Sequence, residues 1–117
     1  MHDKGLAHRD LKPENILLST NASASTDPLQ LVVKIADLGA TKVLDFSEKR
    51  MNTPYVVSRY YRSPELILGS HHYDFSIDVW AAGCILFELI TRTPLFPGEQ
   101  EGLQILEQAQ ILGMPSK

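Results

Sequence analysis

The stretch His8-Arg9-Asp10-Leu11-Lys12-Pro13-Glu14-Asn15 places three polar side chains at a spacing that suits chemistry on a charged group. Asp10 is a carboxylate that can accept a proton from a hydroxyl group. Lys12 follows it by two residues and can neutralise developing negative charge. Asn15 follows it by five residues, and its amide oxygen is a ligand that Mg²⁺ accepts. We therefore predict a catalytic loop here, rather than a charged turn between a helix and a strand.

The bulk composition is that of an ordinary globular domain, with 117 residues and a net charge of -3. This charge does not indicate a nucleic-acid partner. The longest apolar run, residues 79–87, is too short to span a bilayer, and the first residues do not resemble a signal peptide. The single cysteine, Cys84, excludes an internal disulfide. We expect an intracellular protein of the cytoplasm or nucleus, without a membrane or nucleic-acid partner.

The hydrophobic pattern predicts strands at residues 16–18 and 31–36, joined by a flexible polar loop. A helix is predicted over residues 77–91, with Ser76 as its N-cap. This helix is apolar on nearly every side, which is typical of a helix at the centre of a larger domain. A final short helix is predicted over residues 103–112. The predicted fold class is α+β, mainly α, with a short β-hairpin after the catalytic loop.

Three further motifs follow the loop in order: Asp37-Leu38-Gly39, Ser63-Pro64-Glu65, and Asp78 with Trp80 and Gly83. Together with H-R-D-L-x-x-x-N they resemble the D-F-G, A-P-E and D-x-W-x-x-G motifs of eukaryotic protein kinases. Leu38 replaces the usual Phe and keeps its apolar character. The resemblance covers essentially the whole chain, and implies the C-terminal lobe of a kinase domain.

The resemblance implies ATP and Mg²⁺ as cofactors and protein substrates as partners. Asp10 would be the catalytic base and Lys12 would stabilise the transferred phosphoryl group, while Asn15 and Asp37 would ligate the metal. Asp78 would brace the backbone of the catalytic loop. The positions with an implied structural role are Gly39, Arg62, Glu65, Asp78 and Trp80.

Two residues indicate serine or threonine as the acceptor. Lys12 stands where tyrosine kinases usually carry an Ala-Ala-Arg pattern, and Ser58 stands where a hydroxyl can bridge the catalytic Asp and Lys. The alternative for Ser58 is a solvated loop serine. The resemblance therefore favours a serine/threonine kinase.

The stretch of residues 53–65 resembles the CMGC group of kinases. It is similar both to glycogen synthase kinases and to stress-activated mitogen-activated kinases, and the first is favoured. Tyr55 is the predicted regulatory phosphosite, modified by an upstream kinase or by autophosphorylation, and Thr53 is the second candidate. Arg9 and Lys42 stand where glycogen synthase kinases bind a phosphate already present on the substrate, although Lys42 could also be a solvated loop lysine.

The chain contains neither a Gly-rich phosphate loop nor the lysine and glutamate that accompany it in kinases. We therefore expect residues 1–117 to be a partial kinase domain, without the N-terminal lobe and the last C-terminal helices, and inactive when isolated. The alternative is a short product that acts as a non-catalytic decoy. Retention of Asp10, Asn15 and Asp37 favours a piece of an active kinase, because a decoy does not need them.

Overall fold

The computed structural model describes residues 1–20, 31–44 and 59–114. Within these ranges the strands are β1 (Leu6–Ala7), β2 (Ile16–Thr20), β3 (Leu31–Ile35) and β4 (Lys42–Val43), and the α-helices are α1 (Pro64–Ile67), α2 (Ser76–Thr91) and α3 (Glu101–Leu112). The mixture of helices with an antiparallel hairpin confirms the predicted α+β class. None of the described helices is both long and apolar enough to cross a membrane.

The predicted hairpin follows the catalytic loop. Strands β2 and β3 pair antiparallel, from Ile16 opposite Ile35 to Thr20 opposite Leu31. The backbone amide of Ala36 donates to the carbonyl of Asn15 at 2.8 Å, which continues the pairing beyond the strands. The register therefore brings the end of the catalytic loop beside the residue that precedes Asp37.

A second strand pair, β1 with β4, was not predicted. Leu6 lies opposite Val43, and Ala7 lies opposite Lys42. Two-residue strands are too short to show an alternating pattern, so the sequence contains no signal for them. The pair joins Ala7, which precedes His8, to the segment that follows Asp37.

Helix α2 begins at Ser76, and the prediction that Ser76 is its N-cap is wrong. The preceding residue, Phe75, occupies the N-cap position, and the Oδ1 atom of Asp74 accepts a hydrogen bond from the backbone amide of Ser76 at 2.7 Å. Hydrogen bonds from the Ser76 side chain and then from its backbone amide hold the pKa of the Asp74 carboxyl below its ordinary value. The ionised carboxylate is a better acceptor here than the protonated acid, because the helix N-terminus carries partial positive charge.

Helix α2 contributes to both clusters of the core. One cluster contains Tyr61, Ala81, Cys84, Ile85 and Phe96. The other contains Ala7, Leu44, Tyr73 and Ile77. Burial raises the pKa of the Cys84 thiol to about 11, so this cysteine is a packing residue rather than a nucleophile. The helix thus connects the catalytic-loop side of the molecule to residues 59–61.

The opposite face of α2 is exposed although it is apolar. Leu86, Leu89 and Ile90 are between 59% and 74% exposed. This distribution agrees with the sequence, in which the helix is apolar on nearly every side. Leu86 and Ile90 line an open apolar groove together with Leu95 and Leu112.

Helix α3 starts two residues earlier than predicted, and it buries glutamines rather than leucines. Leu103 and Leu106 are about half exposed, whereas Gln104 and Gln108 are almost completely buried. The Oε1 atom of Gln104 accepts from the backbone amide of Gly98 at 3.0 Å, and Nε2 of Gln108 donates to the carbonyl of Arg62 at 2.9 Å. The buried face is polar because it satisfies backbone groups of two neighbouring loops.

Gly98 lies so close to α3 that a side chain would collide with it. A Cβ atom at position 98 would be 2.5 Å from the backbone nitrogen of Gln104. We expect Gly98→Ala to lower the free energy of unfolding by about 1–3 kcal/mol, because overpacking against backbone forces a shift. Urea unfolding followed by circular dichroism measures the change.

Gly102→Ala is the matched control, since a Cβ there would meet nothing within 4 Å. It should leave stability unchanged or raise it by up to about 1 kcal/mol, because alanine has the higher helix propensity. Equal unfolding midpoints for the two variants would show that Gly98 is not held against α3.

Candidate active site

The catalytic loop is attached to helix α2 through the buried carboxylate of Asp78. Its Oδ2 atom accepts from the backbone amide of His8 at 2.8 Å, and its Oδ1 atom accepts from that of Arg9, also at 2.8 Å. The ring atom Nε2 of His2 lies 2.8 Å from the same Oδ2 atom. One side chain thus fixes two successive amides of a loop about 70 residues away in sequence.

Arg9 has a backbone conformation that is unusual for a residue with a side chain. Its φ of 69° lies in the left-handed region, which costs roughly 1–2 kcal/mol. The bond from its amide to Asp78 offsets part of this cost. The side chain is also held: Nε donates to the carbonyl of Ala40 at 2.6 Å, and one terminal nitrogen donates to the hydroxyl of Tyr73 at 3.0 Å.

His8 connects the loop to the hairpin. It is buried, its Nδ1 atom accepts from the amide of Asp10 at 3.3 Å, and its Nε2 atom lies 3.0 Å from the carbonyl of Ala36. Both bonds are compatible with the tautomer that carries its hydrogen on Nε2. The sequence predicted no site roles for His2, His8 or Tyr73. Of these three residues, only His8 could have been found from the sequence, because it belongs to the H-R-D-L-x-x-x-N motif.

The structure brings Asp10, Lys12 and Asn15 together. Nζ of Lys12 lies 3.2 Å from Oδ2 of Asp10. The amide nitrogen of Asn15 donates to the Asp10 carbonyl at 2.8 Å and lies 3.3 Å from its Oδ2 atom. The Asp10 side chain is about 10% exposed, so it is partly shielded from water yet still reachable. The Asp10 carboxylate can therefore accept a proton from a hydroxyl group, and the Lys12 ammonium supplies a positive charge beside it.

Asn15 and Asp37 supply oxygens at the same end of the hairpin. The amide nitrogen of Asn15 is directed to Asp10, so its oxygen is the atom left for a cation. Asp37 is exposed, and its Oδ1 atom accepts from the amide of Gly39 at 3.1 Å. Amide and carboxylate oxygens fit Mg²⁺, which commonly combines one or two protein oxygens with water and substrate phosphates. No three His, Cys, Asp or Glu side chains in the described ranges form a metal cluster by themselves.

The predicted phosphate-binding residues are attached to the same strand pair. Lys42 belongs to β4 and lies opposite Ala7, which precedes His8 and Arg9 in the chain. The bond from Arg9 to the carbonyl of Ala40 joins the arginine to the segment leading into β4. The fold therefore brings the segments that carry Arg9 and Lys42 side by side, although the two residues are 33 positions apart in sequence.

Residues 59–65 are held between α2 and α3. The hydroxyl of Tyr61 donates to Oε2 of Glu88 at 2.7 Å, and burial raises the pKa of this phenol. A terminal nitrogen of Arg62 lies 3.6 Å from Oε1 of Glu101, and burial lowers the pKa of the guanidinium. Glu65 lies in the first turn of α1.

Trp80 packs between the core and the loop that precedes α3. Its ring stacks on Phe96 with centroids 5.7 Å apart.

The predicted residues Ser58, Tyr55 and Thr53 lie outside the residues that the structure describes. Their roles therefore stay predictions.

A comparison with protein families matches residues 1–116 to the family described as Protein kinase domain. The chain belongs to this family, whose members use ATP and magnesium to phosphorylate proteins.

Two curated relatives are of the glycogen synthase kinase type, the subfamily that the sequence favoured over the mitogen-activated kinases. The chain is 43% identical to Glycogen synthase kinase 1 of Pyricularia oryzae and 44% identical to Protein kinase gsk3 of Schizosaccharomyces pombe, in both cases over all 117 residues. It spans 27% and 28% of the lengths of these two proteins.

Proposed function

We propose that a kinase domain containing this chain transfers the γ-phosphate of ATP to serine or threonine hydroxyls of protein substrates. The observation that carries the proposal is the cluster of Asp10, Lys12 and Asn15. Its carboxylate lies 3.2 Å from the lysine and accepts a bond from the asparagine amide, on a loop anchored by Asp78. This is the group of side chains that phosphoryl transfer to a hydroxyl requires.

Each residue has a distinct part in this reaction. The Asp10 carboxylate orients the substrate hydroxyl and accepts its proton. The Lys12 ammonium stabilises negative charge on the transferred group. Asn15 and Asp37 would hold Mg²⁺, which neutralises charge on the nucleotide phosphates when bound. The ion pair between Lys12 and Asp10 positions both side chains before the substrate arrives.

A chimera tests this function. Residues 1–117 replace the segment of the fission-yeast Protein kinase gsk3 that aligns with all 117 residues of the chain. The chimera is incubated with labelled ATP and matched peptides whose acceptor is Ser, Thr or Tyr, beside the unaltered relative. Transfer to Ser and Thr is expected. A folded chimera that binds peptides without phosphorylating them would favour the decoy alternative, and transfer to Tyr alone would contradict the acceptor assignment.

We further propose that the substrates carry a phosphoserine C-terminal to the target residue. The pairing of β1 with β4 and the bond from Arg9 to the carbonyl of Ala40 support this proposal, because they bring together the segments that carry Arg9 and Lys42, and two cations could bind a doubly charged phosphate. The resemblance to glycogen synthase kinases supports the same assignment. Lys42 is the more informative of the two, because many kinases direct the arginine to a phosphate of their own activation segment.

Lys42→Ala should lower kcat/KM for a phosphoserine peptide by about tenfold to a hundredfold, the loss expected for one charge-assisted bond. The same peptide without the phosphate should be unaffected. Lys34→Ala removes an exposed lysine from β3 and serves as the control. If the chimera phosphorylates both peptides equally well, the priming proposal is wrong, and the mitogen-activated alternative gains support.

A further inference from the structure

The hydroxyl of Tyr73 meets Arg9 from a different part of the chain. It lies 3.0 Å from a terminal nitrogen of the arginine, 64 residues away in sequence. We propose that Tyr73 is a positioning residue that sets the Arg9 guanidinium for binding a phosphoserine of the substrate. This inference rests on the proposed phosphate pocket of Arg9 and Lys42, and it adds the residue that prepares the pocket.

The backbone of Arg9 is fixed independently of its side chain. The bond to Asp78 holds its amide, and the positive φ directs the start of the side chain. A free arginine side chain retains about 2 kcal/mol of rotamer entropy, which a bound anion would have to overcome. Anchoring the guanidinium beforehand removes much of this cost.

Two of the contacts that hold the guanidinium come from separate segments of the chain. The carbonyl of Ala40 accepts from Nε, and the hydroxyl of Tyr73 accepts from a terminal nitrogen. Since the group is planar, two bonds from separate segments fix its plane.

Tyr73 is itself rigidly held. Its side chain is buried in the cluster that contains Ala7, Leu44 and Ile77. Ala7 lies directly opposite Lys42, so the ring packs against the strand pair that carries the second cation. The buried ring therefore holds the hydroxyl in place against Arg9. A phenylalanine ring would fill the same space without that contact.

Tyr73→Phe in the full 117-residue chain isolates the hydroxyl. Isothermal titration calorimetry measures the affinity for a phosphoserine peptide and for its unphosphorylated form. The variant should bind the phosphopeptide about threefold to tenfold more weakly, as expected for one lost hydrogen bond. The Arg9 Nε–Hε resonance, assigned by its loss in Arg9→Lys, should also shift in the NMR spectrum.

Tyr61→Phe is the matched control. It also removes a hydroxyl bonded to a charged side chain, that of Glu88, but does not alter Arg9. It should lower the unfolding temperature without changing phosphopeptide affinity. Unchanged affinity or an unshifted Arg9 resonance in Tyr73→Phe would overturn the positioning role alone. If Arg9→Ala and Lys42→Ala also leave affinity unchanged, the phosphate pocket fails and the inference falls with it.

Discussion

Asp10→Asn is expected to lower the kcat of the chimera by about 10²–10⁴-fold, the contribution typical of a positioned base. Asparagine keeps the size of the side chain but cannot accept the proton of the substrate hydroxyl. Lys12 also loses the carboxylate that lies 3.2 Å from its ammonium group. The KM for ATP should change little, since Asp10 is not assigned to nucleotide or metal binding. Steady-state kinetics with varied ATP measures both parameters.

Glu14→Gln is the control for this variant. Glu14 is an exposed carboxylate of the same loop, so the substitution removes the same charge within four residues of Asp10. It should retain nearly full activity. An Asp10→Asn enzyme that keeps more than about a tenth of the chimera's kcat would exclude Asp10 as the base.

Asp78→Ala is expected to produce the largest loss of stability. The variant leaves the amides of His8 and Arg9 without their acceptor, and each unsatisfied buried donor costs about 1–3 kcal/mol. The strained backbone of Arg9 also loses the bond that offsets its cost. We expect the free energy of unfolding to fall by about 2–6 kcal/mol in total. Urea unfolding of the 117-residue chain measures the loss.

Asp74→Ala is the control, because Asp74 is exposed and accepts from the backbone amide at the start of the same helix. It should cost about 1 kcal/mol, as a lost helix cap does. The depressed pKa of Asp74 makes this contribution present above its ordinary pKa, and it disappears as the pH falls through the folded value. Equal losses for the two variants at neutral pH would contradict the anchoring role of Asp78.

The sequence alone determined the features that depend on neighbours in the chain. The spacing of Asp10, Lys12 and Asn15 identified the catalytic loop, and their mutual contacts span at most five residues. The apolar runs on either side of a polar loop predicted β2 and β3, because a hairpin pairs segments that are close in sequence. The extent of α2 also followed from its composition, although its N-cap did not.

The tertiary structure decided what depends on partners far apart in the chain. The bond from Arg9 to Tyr73 and the pairing of Ala7 with Lys42 have no periodic signature, so no local pattern predicts them. The burial of Gln108 is a further case, because its amide nitrogen donates to the carbonyl of Arg62, 46 residues away in sequence. The sequence therefore identified the reacting groups, whereas the packing around α2 decided how Arg9 and the loop are held. The physical reason is that a hydrogen-bond partner is chosen by proximity in the folded chain rather than by distance along the sequence.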